Sequence, residues 1–132
     1  MEPNAPEIIG TGVPAGIVIF GHGSSVDSAN EAVRNVAREA AAAGGWRLYE
    51  TAFLEAKPTL GEAVASLAAA GASEVVVIPY FLTLGVHLRR DLPKLVEALS
   101  REHGLSIRVA PPLDGHPHLT RMLVDRAREF TP

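Results

Sequence analysis

The chain has 132 residues, of which 47% are hydrophobic and 20% charged, with a formal net charge of −3 and no cysteine. This size predicts one domain with a real core. The charge does not favour nucleic-acid binding, which needs a concentrated basic face, and the lack of cysteine excludes disulfides, thiolate ligands and cysteine-held iron–sulfur clusters.

The first 14 residues contain no basic segment followed by a long apolar stretch, and no apolar run in the chain approaches the roughly 18 residues of a membrane span. We therefore expect a flexible N-terminal tail at 1–14, a single domain at 15–132, and a cytoplasmic protein without membrane contact.

Short runs rich in β-branched residues alternate with segments of helical period along the domain. Strands are predicted at 16–20, 47–54, 74–79 and 106–110, and helices at 28–43, 58–71 and 91–103. A last helix carries Leu119, Met122, Leu123 and Phe130. Because crossovers between parallel strands are right-handed, this order predicts an α/β fold with a four-stranded parallel sheet and helices on both faces.

The predicted helices have recognisable start and stop residues. Glycines at 44–45, 71 and 104 end the first three helices. The predicted starts are Asp27 or Ser28 as a cap for the first helix, Pro58 for the second, and Asp91 with Pro93 for the third.

Three side chains with useful chemistry follow the predicted strands. His22 comes after the first strand, Glu55 after the second, and His87 after the third and its loop. Because parallel strands end at one edge of a sheet, we expect these groups to meet there. Imidazole and carboxylate suit cobalt, nickel, iron or zinc, and they can also transfer protons. The alternatives are a histidine that only completes a turn and a glutamate that only favours a helix dipole.

Three ordered blocks of sequence carry a resemblance to a known family. They are IVIFGHGSS at 17–25, AFLE with PTL at 52–60, and VIPYFL with GVH and DLP at 77–93. Together they resemble the small class II tetrapyrrole chelatases, which include the short CbiX-type sirohydrochlorin cobaltochelatases and the related SirB-like ferrochelatases. The resemblance extends from about 16 to 130 and implies a three-layer α/β/α chelatase-like fold.

The resemblance also implies a reaction. It is the insertion of a divalent metal into sirohydrochlorin without ATP, in tetrapyrrole biosynthesis of the cobalamin or siroheme type. Co²⁺ is the favoured metal, Ni²⁺ and Fe²⁺ are alternatives, and the metal is a substrate rather than a permanently bound cofactor. His22, His87 and Glu55 are then the catalytic and metal-binding residues. Which of them holds the ion and which accepts pyrrole protons stays open.

A macrocycle bearing many carboxylates needs a wide apolar cleft with cationic groups at its rim. One small domain supplies half of such a cleft, so the resemblance implies a homodimer that encloses it. The predicted substrate-binding residues are Ser24, Ser25, Tyr80, Phe81, Leu82, Arg89 and Arg90. The alternatives are helix capping for the serines and a solvated surface for the arginines.

Other functions remain as alternatives. A carrier of metal or tetrapyrrole would use the same histidines without accelerating insertion. A hydrolase lacks the Gly-x-Ser-x-Gly elbow, and a phosphate-binding flavodoxin-like module leaves the two histidines unexplained. We expect His103 to favour a helix dipole. The His116-Pro117-His118 run is expected to begin the last helix, and a pair of metal ligands is the alternative.

Overall fold

The computed structural model describes residues 15–132, so the predicted tail at 1–14 lies outside the described residues. Eight elements follow one another in strict alternation. They are β1 (Ala15–Gly21), α1 (Asp27–Gly44), β2 (Leu48–Phe53), α2 (Leu60–Ala69), β3 (Glu74–Pro79), α3 (Val86–His103), β4 (Ser106–Val109) and α4 (Pro117–Glu129).

The four strands form one sheet in the order β2-β1-β3-β4, and every neighbouring pair is parallel. Helices lie on both faces, as the sequence predicts. Helices α2 and α3 pack against the face that carries Val18, Val75 and Val77, whereas α1 packs against the opposite face through Ala37. The fold class is therefore confirmed.

The two faces of the sheet carry cores of unequal size. The core under α2 and α3 contains fourteen buried residues, among them Phe20, Val64 and Leu92. The core under α1 contains only three, namely Ile17, Ile19 and Ala37. Because β1 is central, its side chains are buried alternately in the two cores. Most of the buried apolar surface lies on the face covered by α2 and α3.

Several helix starts differ from the prediction. Helix α1 begins after Val26, which makes no side-chain cap, so Asp27 and Ser28 were the wrong caps. Helix α3 begins at Val86 after an extended Gly85, which places Asp91 and Pro93 inside it. Proline resembles a start signal because it lacks a donor, but this helix tolerates it in the interior.

The start of α2 is close to its predicted position but depends on other residues. Thr59 is the N-cap, and its hydroxyl accepts a hydrogen bond from the backbone N–H of Glu62 while the Glu62 carboxylate accepts from the Thr59 N–H. This capping box satisfies donors that the first turn leaves free. Gly45 and Gly104 end α1 and α3 in left-handed conformation, as predicted.

Helix α4 starts as predicted, with His116 as N-cap and Pro117 in the first turn. It contains no buried residue, although its apolar residues recur at helical spacing. Within residues 15–132, none of the helices is both long and apolar enough to cross a membrane.

Candidate functional site

The loops that follow β1, β2 and β3 are tied together at the carboxyl edge of the sheet. The N–H of Leu54 donates to the carbonyl of Gly21 at 3.0 Å, and that of Glu55 donates to the carbonyl of His22 at 2.8 Å. The N–H of Tyr80 donates to the carbonyl of Phe20 at 2.7 Å. These bonds extend the parallel ladder beyond the strands, so the backbones of His22 and Glu55 are held side by side.

A buried asparagine fixes the loop that carries His22. The side chain of Asn30 on α1 is 6% exposed. Its amide oxygen accepts from the Ser24 N–H at 2.9 Å, and its amide nitrogen donates to the Ser24 carbonyl at 2.8 Å. Sequence reasoning missed this residue. The available signal was a single amide on the inward stripe of an amphipathic helix, since a buried amide requires a hydrogen-bond partner.

Gly23 allows the loops after β1 and β2 to approach closely. Its φ is +87°, a left-handed conformation that favours glycine. A Cβ added there would lie 2.8 Å from the Cβ of Phe53 and 3.1 Å from the backbone nitrogen of Ala56. The position between His22 and Ser24 is therefore restricted by conformation and by space.

The His22 side chain is exposed, and its Nδ1 lies 3.1 Å from the carbonyl oxygen of Gly23. Glu55 is also exposed. Both side chains are thus accessible from solvent while their backbones are fixed, which suits groups that must meet a large ligand.

His87 lies in the first turn of α3 rather than in a loop before the helix. Its Nδ1 is 3.2 Å from Nη2 of Arg90. Because a guanidinium only donates, this bond gives Nδ1 the lone pair and places the proton of a neutral ring on Nε2. Use of His87 as a ligand through Nε2 therefore requires Arg90 to release Nδ1.

Arg90 has a second partner in Asp91. Its Nε donates to the Asp91 carboxylate at 3.0 Å. This hydrogen bond is the main reason that the pKa of Asp91 lies below its ordinary value. Arg90 is thus shared between two neighbours on its own helix.

The predicted trio shares an edge but does not form a ready ligand cluster in one chain. Among residues 15–132, no group of three histidine, aspartate or glutamate side chains is close enough to hold a metal ion together. The roles of His22, Glu55 and His87 as ligands or bases therefore stay predictions.

Exposed apolar side chains lie in the same loops and helix starts as the histidines. Val86 is 75% exposed beside His87, and Leu82 is 60% exposed in the loop after β3. The other large apolar residues exposed at this edge are Val26, Leu54 and Tyr80. The sequence analysis did not select Val26 and Leu54 as site residues, although both follow a strand closely and could have been assigned to the carboxyl edge. These five residues share the carboxyl edge with the histidines and are called the apolar rim below.

The remaining predicted contacts fall into different environments. Phe81 turns inward and packs edge-on against Phe20, with ring centroids 6.0 Å apart. The hydroxyl of Ser24 accepts from the Val26 N–H at 3.0 Å, while Ser25 is exposed. Arg89 lines a groove of about 750 Å³ between α3 and β4. Of the predicted apolar walls, Tyr80 and Leu82 are therefore the exposed ones.

The fold is the three-layer α/β fold of the chelatases, with a parallel sheet in the order β2-β1-β3-β4 and helices on both faces. A solved CbiX protein from Marinobacter aquaeolei VT8 superposes with a TM-score of 0.77 and 32% identity, covering 88% of this chain and 96% of that one. The cobalt complex of the sirohydrochlorin chelatase SirB from Bacillus subtilis subspecies spizizenii superposes at 0.81 with 21% identity, which shows the shared fold. That match covers 89% of this chain and 51% of SirB.

The chain belongs to the CbiX family, whose model matches residues 16–130. Among curated relatives, the sirohydrochlorin cobaltochelatase of Methanopyrus kandleri is 37% identical over 81 residues. That segment is 61% of this chain and 57% of the relative, so the chain matches little more than half the length of this relative. The family resemblance predicted from the sequence is confirmed.

Proposed function

We propose that this protein inserts Co²⁺ into sirohydrochlorin without ATP and without a permanently bound cofactor. The observation that carries the proposal is the placement of His22, Glu55 and His87 at one sheet edge, beside an exposed apolar rim. Membership of the CbiX family and the similarity to a sirohydrochlorin cobaltochelatase support the same reaction.

The chemistry requires the ion to lose water, meet the ring nitrogens and displace two pyrrole protons. Exposed imidazoles suit these steps because a neutral ring nitrogen can bind a borderline ion or accept a proton. His22 and His87 hold the ion or take protons, and Glu55 assists by its charge. An exposed pair of histidines binds the ion weakly enough to release it to the ring.

The rest of the substrate needs two kinds of contact. The flat ring faces apolar side chains, for which Tyr80 and Leu82 are placed at the edge. Its carboxylates need donors, for which Ser25 and Arg89 are exposed. Arg90 joins them when it leaves His87 and Asp91, its partners in the free protein.

The metal that is inserted depends mainly on which divalent ions are available in the cell. Imidazole and carboxylate accept Co²⁺, Ni²⁺ and Fe²⁺, and affinity alone does not separate them in a cell. Co²⁺ comes first because the relative from Methanopyrus kandleri is named a cobaltochelatase. Ferrochelation or nickel insertion on the same ring is the alternative outcome of a metal comparison.

The same proposal includes self-association and a cytoplasmic location. A chain that spans about half of SirB offers one domain and hence one wall of a cleft. Two copies related by a twofold axis supply both walls. Light scattering at the assay concentration tests this step, and a strictly monomeric active enzyme would contradict it.

Anaerobic insertion followed by visible absorption tests the catalytic roles. His22→Ala and His87→Ala are expected to lose about 10²–10⁴-fold in rate, the usual contribution of a positioned base or ligand. His103→Ala is the matched control because His103 ends α3, at the opposite edge of the sheet. Equal rates in all three variants would contradict the proposed site.

A further inference from the structure

The two histidines at the carboxyl edge make hydrogen bonds of opposite kinds. Nδ1 of His22 lies 3.1 Å from the carbonyl oxygen of Gly23, and Nδ1 of His87 lies 3.2 Å from Nη2 of Arg90. A carbonyl oxygen only accepts a hydrogen bond, whereas a guanidinium only donates one. Nδ1 of His22 must therefore carry a proton, and Nδ1 of His87 must use its lone pair.

The neutral rings consequently present different atoms to a ligand. In His22 the proton on Nδ1 leaves Nε2 with a free lone pair, which can bind a divalent ion or accept a proton. In His87 the proton lies on Nε2, so this nitrogen donates a hydrogen bond and binds no ion. Both side chains are exposed. His22 is therefore ready to act as a ligand in the free protein, whereas His87 is not.

Arg90 is the residue that holds His87 in this form. It lies three positions after His87 on α3, and its Nε also donates to the Asp91 carboxylate at 3.0 Å. Metal binding through Nε2 requires the ring to lose a proton from Nε2 to solvent and to take one up at Nδ1. The new N–H of the ring would then face the N–H of Arg90, and neither group can accept. The change of tautomer therefore requires Arg90 to move away.

A ring carboxylate is a stronger partner for Arg90 than the histidine is. The imidazole is neutral and accepts one hydrogen bond from Arg90, whereas a carboxylate is charged and can accept two in parallel. Asp91 accepts from Nε alone, which leaves the other nitrogens of the guanidinium for a second carboxylate. The side chain of Arg90 is 58% exposed, so it can turn toward a carboxylate that arrives at the edge.

We propose that Arg90 is a positioning residue that keeps His87 from binding metal until a carboxylate of the tetrapyrrole draws Arg90 away. In the free protein His22 meets the ion without His87, and His87 joins as a ligand only after the macrocycle is bound. The ring therefore binds first, and both histidines hold the ion only where the ring nitrogens can take it. This inference rests on the proposed function, which supplies the macrocycle and the ion.

NMR of isotope-labelled histidine nitrogens tests the two tautomers without any turnover. Spectra of His22→Gln and His87→Gln assign the two rings, and the pH is chosen so that both are neutral. In the full-length protein without metal or ring, His22 should carry its proton on Nδ1 and His87 on Nε2. Anaerobic addition of sirohydrochlorin without metal should convert His87 to the Nδ1–H form. The same tautomer in both free histidines, or an unchanged His87 in the ring complex, would overturn the proposal.

Co²⁺ binding in the absence of the ring, measured by calorimetry, tests the role of Arg90. Arg90→Met removes the donor and should tighten Co²⁺ binding about fivefold or more, the effect of losing one net hydrogen bond. Arg90→Lys retains a donor and should bind Co²⁺ as the unmodified protein does. Arg89→Met is the matched control, because it removes the same charge from a neighbouring side chain that lines the groove between α3 and β4. Equal tightening in Arg89→Met and Arg90→Met, or none in Arg90→Met, would overturn the proposal.

Steady-state insertion separates this role of Arg90 from a merely structural one. Arg90→Met should raise the KM for sirohydrochlorin, because a partner for a ring carboxylate is lost. The same substitution should lower the KM for Co²⁺, because His87 is free to bind the ion before the ring arrives. Damage to the local structure would instead raise both KM values, and that result would overturn the proposal.

The two proposals fail in different ways. Accelerated insertion by the unmodified protein, together with Co²⁺ binding that Arg90→Met does not tighten, would refute the role of Arg90 and leave the reaction standing. A His87 ring that changes tautomer when sirohydrochlorin binds, in a protein that does not accelerate insertion, would refute the reaction and leave the role of Arg90 standing.

Discussion

Replacing Gly23 by alanine should damage the site more than it damages the fold. Gly23 separates His22 from Ser24, and its φ of +87° is the left-handed conformation. Gly45 at the end of α1 has a φ of +71°, but an added Cβ there meets nothing within 4 Å. Gly45→Ala is therefore a matched control that carries the conformational cost without the steric one.

The expected magnitudes follow from these two environments. A left-handed backbone costs a residue with a Cβ about 1–2 kcal/mol, which is the cost expected for Gly45→Ala. Gly23→Ala adds contacts of 2.8 Å to the Cβ of Phe53 and 3.1 Å to the backbone nitrogen of Ala56. Neither atom belongs to a flexible side-chain end, so overpacking adds about 1–3 kcal/mol.

The overlap also displaces the loop that carries His22. Carbon atoms prefer separations of about 3.5–4.0 Å, so the contact with Phe53 opens by about 1 Å. A misplacement of this size at a catalytic group costs about 10²-fold in rate.

Urea unfolding and the anaerobic insertion assay measure the two effects on the same protein samples. Gly23→Ala should lose more stability than Gly45→Ala and, unlike Gly45→Ala, should lose most of its activity. Equal stability and equal activity of the two variants would show that the close approach of the loops after β1 and β2 has no role in holding the site.

Three further variants test the local structure. Asn30→Ala should lower the free energy of unfolding by about 1–3 kcal/mol, because two hydrogen bonds to Ser24 are lost, and it should slow insertion. Full activity would contradict the role of Asn30 in fixing the loop that carries His22. Thr59→Ala should cost about 1 kcal/mol in urea unfolding through the lost N-cap, and no change would contradict the capping box. The hydrogen bond from the Thr59 N–H is the main cause that lowers the pKa of Glu62 in the folded protein. The ionised Glu62 carboxylate therefore stabilises the fold above its ordinary pKa, and this stabilisation is lost as the pH falls through the lowered pKa of the folded state. The melting temperature of Glu62→Gln should therefore fall less steeply with decreasing pH than that of the unmodified protein. The same pH dependence in both proteins would contradict this role of Glu62.

The strands were predictable because their chemistry is local. The runs at 16–20 and 74–79 are β-branched and bounded by glycine or proline, which marks buried parallel strands. Once they are parallel, their ends share an edge, and His22 and Glu55 fall there without further information. The order of the strands depends on crossover directions and is not visible in any one segment.

The residues that position the site were harder to predict. Asn30 acts across six positions through Ser24, a contact that depends on how the loop folds back onto α1. The start of α3 at Val86 was missed because Pro93 looked like an N-terminal signal. The exposure of α4 could not be foreseen either, since a sequence reports an apolar stripe but not whether another element covers it.

The number of turnovers tests the central claim most directly. The protein is incubated anaerobically with Co²⁺ and a large excess of sirohydrochlorin, and the metallated ring is followed by visible absorption against a sample without protein. We predict product far beyond one ring per chain, formed faster than in the protein-free sample. Product formed no faster than in the protein-free sample would contradict catalysis, and stoichiometric binding of ring or metal in the same sample would favour a carrier.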